Sequence, residues 1–418
     1  MINRALAPEL QTIKHIDFLK PKIFDISPNV HLYWNADVPN DTSRVDLYFD
    51  AGTILGNIGI ASFVNGLLLS GTKTHTSIEI NESIDALGGF FESGVSNENA
   101  VISVYALKEN MLSVLRIIRD AIDGASFPEH EVDELLIDRK QKFLVNMEKV
   151  NFLAQRAFQQ RLFSESIYGR VSDVKDLDSI SRQEIVAFHD EHYLNGLSKM
   201  VVVGDLGQDA VDQIIDLFGD WSHAHQPTFE KNIQNLRGTA HVVKDDAVQS
   251  AIRVGRMLFN KTHPDYLDFN ILNTILGDYF GSRLMSNIRE DKGYTYGIGT
   301  MMAELHASGY FLIATEVGKD VREATLVEIQ KEIEILQNEL VPEDELELVK
   351  NYLLGQLLKS ADGPYSMTDL YLSVEPYNMD MDFYNKTIES INNITAERIQ
   401  ELAKKYLNWN DMTIVSAG

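Results

Sequence analysis

The sequence predicts an α+β protein built from two homologous domains in tandem, and three observations carry that prediction. The first is a repeat. Phe127-Pro128-Glu129-His130-Glu131-Val132 returns as Val341-Pro342-Glu343-Asp344-Glu345-Leu346, and Ile180-Ser181-Arg182-Gln183-Glu184-Ile185 returns as Ile394-Thr395-Ala396-Glu397-Arg398-Ile399, both 214 residues later. Tyr193-Leu194-Asn195 matches Tyr406-Leu407-Asn408 at an offset of 213, and Met200 to Val203 matches Met412 to Val415 at 212. Near-constant spacing of matched segments marks an internal duplication. The second is length: 418 residues, 44% of them hydrophobic, suit two domains of ordinary size better than one. The third is element order. Each half reads strand, helix, helix, strand pair, helix, long helices, terminal strand, which predicts one antiparallel or mixed sheet covered on one face by helices. The domains are placed at 1–220 and 241–418, with 221–240 as linker, because Pro, His and Asn interrupt the periodicity of FGDWSHAHQPTFEKNIQNLRGTAH.

In chain order, residues 1 to about 40 read as an N-terminal extension and a first strand, KIFDISPNVHLYWNAD. SRVDLYFD, Ser43 to Asp50, alternates Val, Leu and Phe with polar residues, the period of a half-buried strand. Ala51 to Thr72, AGTILGNIGIASFVNGLLLSGT, reads as a strand end, a Gly-punctuated turn and the opening of a buried helix. THTSIEINESIDALGG has helical spacing with Gly88-Gly89 as its stop. FFESGVSNENAVISVYAL reads as a hairpin and ENMLSVLRIIRDAIDGASF as an amphipathic helix. PEHEVDELLIDRKQKFLVNME starts a long helix with Pro at its first turn.

Composition excludes several classes. The 62 acidic and 37 basic residues leave a formal charge of -25, so phosphate repulsion opposes a nucleic-acid partner. No window approaches the apolar length of a membrane span, and MINRALAPELQTIKHIDFLK lacks the apolar core of a signal peptide. The expectation is a cytoplasmic protein with no membrane partner, a periplasmic one remaining compatible if a leader was removed. The absence of Cys removes disulfides, thiolate metal sites and a cysteine nucleophile. G-x-S-x-G and Gly-rich phosphate loops are absent as well.

The most informative stretch is the Ala51 to Thr72 helix. Ser62 and Gly66 stand four apart and share a helical face, with Asn65 beside Gly66. The frame G-x-A-S-F-V-N-G-x-L-x-x-G-T resembles the first-domain motif of the insulinase-like zinc peptidases, the family of pitrilysin and the mitochondrial processing peptidase, typically G-x-A-H-F-L-E-H-x-L-F-x-G-T. Gly59, Ala61, Phe63, Leu68, Gly71 and Thr72 match. The ligand positions do not. Ser62 and Gly66 stand where the family has its histidines and Asn65 where it has the general-base glutamate, so the metal site is degenerate. The third ligand would fall around Lys142 to Val145, where no carboxylate occurs between Asp138 and Glu148. No cofactor is therefore expected on this chain, and no other His, Asp, Glu or Cys lies between Ala51 and Gly71 to replace what is missing.

The second half carries an intact counterpart. Gly277 to Thr300, GDYFGSRLMSNIREDKGYTYGIGT, resembles the family's second-domain stretch, with Ser282, Arg283, Leu284, Ile288, Arg289, Glu290, Gly293 and Tyr296 in place. The resemblance implies that Arg289 and Tyr296 reach toward a peptide at a zinc site and stabilise the oxyanion formed there. The alternative for this pair is structural: an arginine at a helix end and a half-buried strand tyrosine. The resemblance also implies a fold of two α/β-roll domains facing each other like a clam shell.

FHDEHY places His189 and His192 three apart, a spacing that suits a metal pair, but surface histidines are the expected reading. His223 and His225 of SHAHQ are expected at the surface too. Taken together, the resemblance implies the zinc-less subunit of a heterodimer whose homologous H-x-x-E-H partner holds the zinc, with peptides as ligands; a homodimer in the partner's absence is compatible with it. A stand-alone peptide-binding or scaffold protein and a peptidase with an unrecognised site are the alternatives.

Overall fold

The computed structural model describes residues 13–223 and 227–418. The first twelve residues of the N-terminal extension and His225 of the SHAHQ segment lie outside the described residues.

The first half forms strands β1 (Lys22–Ser27), β2 (Val30–Asn35) and β3 (Thr42–Phe49), helices α1 (Ile60–Leu67) and α2 (Ser77–Asp85), then the hairpin β4 (Phe90–Val95) and β5 (Ala100–Leu107). Helices α3 (Met111–Asp123), α4 (Glu129–Met147), α5 (Val150–Phe163), α6 (Val174–Ser179) and α7 (Arg182–His189) precede β6 (Leu197–Val203) and α8 (Gln208–Phe218). The second half gives β7 (Gly238–Val242), β8 (Gln249–Leu258), α9 (Tyr266–Leu276), β9 (Thr295–Leu305) and β10 (Ser308–Gly318). It continues with α10 (Arg322–Asn338), α11 (Glu343–Ser360), α12 (Gly363–Val374), α13 (Asp382–Asn393), α14 (Ala396–Tyr406) and β11 (Thr413–Ala417).

The duplication is visible in the sheets. The first has strand order β1-β2-β6-β3-β5-β4 and the second β7-β11-β8-β10-β9. Remove β1 and the orders superpose, down to one parallel contact in each, β2 with β6 and β7 with β11. Each closing strand is thus threaded between two early strands of its half, β6 between β2 and β3 and β11 between β7 and β8. The stretch expected as one strand at KIFDISPNVHLYWNAD is two, because Asn29 turns in the left-handed region (φ 66) and sends β2 back along β1.

Helices cover one face of each sheet, as expected. Val45, Leu47 and Phe49 of β3 and Ile102 and Val104 of β5 pack in one core with Phe63 and Val64 of α1 and Val114, Leu115 and Ile118 of α3. In the second half, Ile252 and Val254 of β8 and Phe311 and Ile313 of β10 do the same with Phe269, Leu272 and Ile275 of α9. The other faces are partly covered too, and by the opposite half. Helix α5, a first-half element, lies along β8 and β11. Its Ala154 packs with Ala251 and Ala417, and Phe158, Leu162 and Phe163 share a cluster with Leu312 and Val415. A Cβ on Gly255 would stand 2.9 Å from the Phe158 ring, so glycine is what lets the ring down onto β8.

Helix α12 makes the reciprocal contact, Tyr365, Tyr371 and Leu372 packing on Tyr33, Val201 and Val203. Asn35 donates to the Thr368 hydroxyl (3.1 Å), and Arg44 bridges Asp46 (3.0 Å) and Asp369 (2.5 Å). These two helices start about one repeat length apart, so the halves exchange equivalent arms. The exchange explains why β3 is buried on both faces where its alternation predicts one: Arg44 and Asp46 point away from the core, under α12.

Candidate functional site

The motif helix α1 forms where Gly59, in the left-handed region (φ 87), turns the chain into a run whose Ile60, Ala61, Phe63, Val64 and Leu67 bury against the first sheet. Its three degenerate positions go to three different environments. Asn65 is buried and donates to the hydroxyl of Tyr193 (3.2 Å), a fully buried phenol whose pKa burial pushes up. Gly66 faces α4: an added Cβ would lie 3.3 Å from Leu135 and 3.5 Å from a guanidinium nitrogen of Arg139. Ser62 lines a cavity of about 320 Å3 with Gln155 and Arg156 of α5. At the third ligand position, Lys142 pairs with Asp138 (2.8 Å), and Leu144 and Val145 are exposed. A hydroxyl, a buried amide and a hydrogen atom make no zinc donor set, and among the described residues no group of three or more His, Asp or Glu could hold a metal.

The second motif is arranged otherwise. Leu284, Met285 and Ile288 anchor it in the second core, and Arg283 grips Glu345 of α11 through two 2.8 Å hydrogen bonds. Residues Met285–Asp291 wind as a π-helix, a geometry that recurs at functional sites, and Gly293 turns the chain into the edge strand β9. Arg289 and Tyr296 line one open cavity of about 430 Å3 together with Gln249 and Glu316. The Arg289 guanidinium sits 4.6 Å from the Phe280 ring centre and donates to Glu290. Tyr296 is 96% exposed and its hydroxyl has no partner among the described residues. That differs from the half-buried strand tyrosine weighed as the structural alternative.

The structure thus brings Arg289 and Tyr296 together and sets Ser62 apart, with α5 between. Asn151 of α5 lines a second cavity beside Tyr296, and its neighbour Phe152 lines the cavity of Ser62. Asn151, Arg253 and Glu316, hydrogen-bonded in series beneath Tyr296, were not legible in the sequence. They come from α5, β8 and β10, which no local motif joins.

The histidines correct the surface expectation. His189 and His192 are buried: α7 runs on into the π-turn Asp190–Leu194, which carries both rings inward. His189 stands edge-on to Phe127, and His192 packs on Phe188 while its Nδ1 meets the Asp50 carbonyl (3.0 Å). The side chain of His223 is also largely buried and pairs with the Asp50 carboxylate (2.5 Å). Burial holds the pKa of His189 below its ordinary value, with Asp190 opposing in part. The unfolded chain therefore takes up a proton near pH 6.5 that the folded chain refuses, so this contribution to stability is complete above about pH 6.5 and lost as the pH falls through the lower folded value. His189→Leu, the residue that the second half has at the matching Leu402, is expected to flatten the dependence of Tm on pH between about 6.5 and 5. Thermal melts across that range check it, and an unchanged slope would reject the assignment.

Comparison with known proteins gives concordant results. The family model described as "Insulinase (Peptidase family M16)" matches residues 33–170, and the model described as "Peptidase M16 inactive domain" matches residues 179–353. An uncharacterized zinc protease of Bacillus subtilis is 24% identical over 360 residues, 83% of this chain and 85% of that protein. The mitochondrial-processing peptidase subunit beta of Rattus norvegicus is 23% identical over 411 residues, 90% of this chain and 80% of that protein. Among solved structures, a peptidase M16 inactive domain from Pseudomonas fluorescens superposes with a TM-score of 0.87 at 23% identity, covering 96% of this chain and 98% of that one. A protease from Helicobacter pylori superposes with a TM-score of 0.81 at 16% identity, over 96% of this chain and all of that one.

Proposed function

Because this chain belongs to the insulinase family, peptidase family M16, we propose that it is the non-catalytic, peptide-binding subunit of a heterodimeric zinc metallopeptidase, acting beside a homologous subunit with H-x-x-E-H intact. One asymmetry carries the reading. The first half keeps the motif helix and has lost every metal donor, while the second half keeps Arg289 and Tyr296 together on an open cavity with the tyrosine almost fully exposed. A solvated phenol at a sheet edge contributes little to its own fold. Its exposure leaves it accessible to a group outside the chain. In this role Arg289 and Tyr296 would donate to the oxyanion of a peptide carbonyl under attack, a zinc held by the partner would supply the activated nucleophile, and this chain would form the facing wall. The names of the relatives, zinc protease and processing-peptidase subunit, are consistent with it. No transmembrane-length apolar helix occurs among the described residues.

Two measurements test it. Elemental analysis after chelator dialysis is expected to find less than stoichiometric zinc on this chain, and one tightly held zinc per chain would overturn the reading. The triple variant Ser62→His, Asn65→Glu, Gly66→His is expected to stay inactive on a quenched peptide with zinc added. Leu135 and Arg139 crowd the third position, the Lys142 to Val145 turn supplies no carboxylate, and nothing is arranged to orient the new imidazoles. Zinc-dependent cleavage by that variant would show that the site had kept a hidden ligand. The scaffold alternative gains if this chain and an H-x-x-E-H homologue fail to copurify.

A further inference from the structure

The cavity beside Ser62 carries an electrostatic feature that the loss of a metal site does not require. Two guanidiniums, Arg156 and Arg170, line it and no carboxylate does, in a chain with 62 acidic and 37 basic residues. Neither arginine forms an ion pair among the described residues. Arg170 donates to the backbone carbonyls of Ile54 (2.5 Å), Gly56 (3.1 Å) and Ile167 (3.3 Å), fixing the rim. Arg156 donates one bond, from Nη1 to the Ser172 carbonyl (2.5 Å), and its guanidinium stands 5.2 and 5.6 Å from the rings of Phe143 and Phe152. The stacking positions the group; its Nε and Nη2 have no hydrogen-bond partner among the described residues. The nearest acids, Asp173 and Asp176, act on Arg156 only through their field, and burial outweighs them and lowers its pKa.

A partly desolvated guanidinium with open donors and no counter-ion is a receptor for a planar anion, since its fork matches a carboxylate bond for bond. Ser62 adds a hydroxyl to the same wall, and α1 begins there with neither an acidic residue in its first turn nor a side-chain cap. Ile54, Ile58 and Phe152 complete the lining with apolar surface, which suits an anion attached to an organic chain better than a free hydrated ion. We propose that the Ser62 cavity is a carboxylate-binding subsite that holds a peptide by an acidic group, either its C-terminal carboxylate or an Asp or Glu side chain. The peptide as carrier rests on the family's ligand class. The subsite does not depend on whether Arg289 and Tyr296 act in a partner.

The test uses the full chain alone, with no zinc-bearing subunit, so its outcome is separate from the heterodimer reading. Calorimetric titration compares an acetylated alanine-rich peptide as the free acid, as the C-terminal amide, and as the amide with one internal aspartate. At least one acidic peptide is expected to bind about tenfold or more tighter than the charge-free amide, the size of a charge-assisted hydrogen bond, and to weaken with added salt. The tighter of the two acidic forms identifies the source of the carboxylate. Arg156→Gln should remove the preference, Arg156→Lys should keep part of it, and Ser62→Asp should abolish it by placing a carboxylate in the cavity. Thermal melts show which variants are folded. Equal affinity for all three peptides, no binding of any of them, or an acid preference that survives in folded Arg156→Gln and Ser62→Asp would each overturn the proposal.

Discussion

Arg289→Ala, reconstituted with a zinc-bearing partner, is expected to lower peptide turnover by about a hundred- to a thousandfold, the roughly 2.7 to 4 kcal/mol that one preorganised oxyanion donor supplies. Tyr296→Phe should cost a loss of the same order, because it deletes only a hydroxyl that has no partner among the described residues. Neither change should disturb the fold. Arg289 is half-buried against Phe280 and Glu290, and the anchors of its loop are Leu284, Ile288 and the Arg283–Glu345 pair. Arg289→Lys should recover part of the loss, since an ammonium supplies charge without the planar fork. Single-turnover kinetics on an assembled complex separates chemistry from assembly. Variants that assemble normally and cleave at the wild-type rate would make the pair structural and put the scaffold reading first.

The largest stability effect is expected at Phe158. Its ring is fully buried against β8, so Phe158→Ala should destabilise the protein by about 3 to 5 kcal/mol through lost burial and the cavity left behind. The location matters more than the size. Phe158 belongs to the exchanged arm α5, so the change should loosen the grip between the halves and leave the core of each intact. Denaturant unfolding of the variant is expected to separate into two transitions when followed by probes in the two halves. A shift below about 1 kcal/mol, or a coincident transition with an unchanged midpoint, would show that α5 does not couple them.

The fold was legible in the sequence to the extent that it is repeated there. The 214-residue offset links the PE-initiated helices α4 and α11 and the segments opening α7 and α14, and the two sheets carry the same strand order. The motif frame located α1 and put Ser62, Asn65 and Gly66 on it. What was not legible depends on which surfaces meet. Nothing local in VNFLAQRAFQQRLF says that its small and aromatic face will lie on the sheet of the other half, and nothing local in GPYSMTDLYLSV says that it will cover the outer face of β3, so the double burial of β3 and the pair Arg44–Asp46 came as additions. The histidines of FHDEHY were misplaced for the same reason: a π-turn, set by packing and not by propensity, decides where His189 and His192 point.

The exchange of α5 and α12 also bears on how the chain reaches this state. The outer face of the first sheet is completed by residues such as Thr368, which lies 333 positions after its partner Asn35. During synthesis, Tyr33, Val201 and Val203 must wait, uncovered, until nearly the whole polypeptide has emerged. Contacts this distant in sequence make for slow closure and for a long-lived intermediate with apolar surface showing. A nascent first half is therefore expected to need a chaperone. Expressed by itself, it should be insoluble unless the second half is supplied alongside to lend its arm.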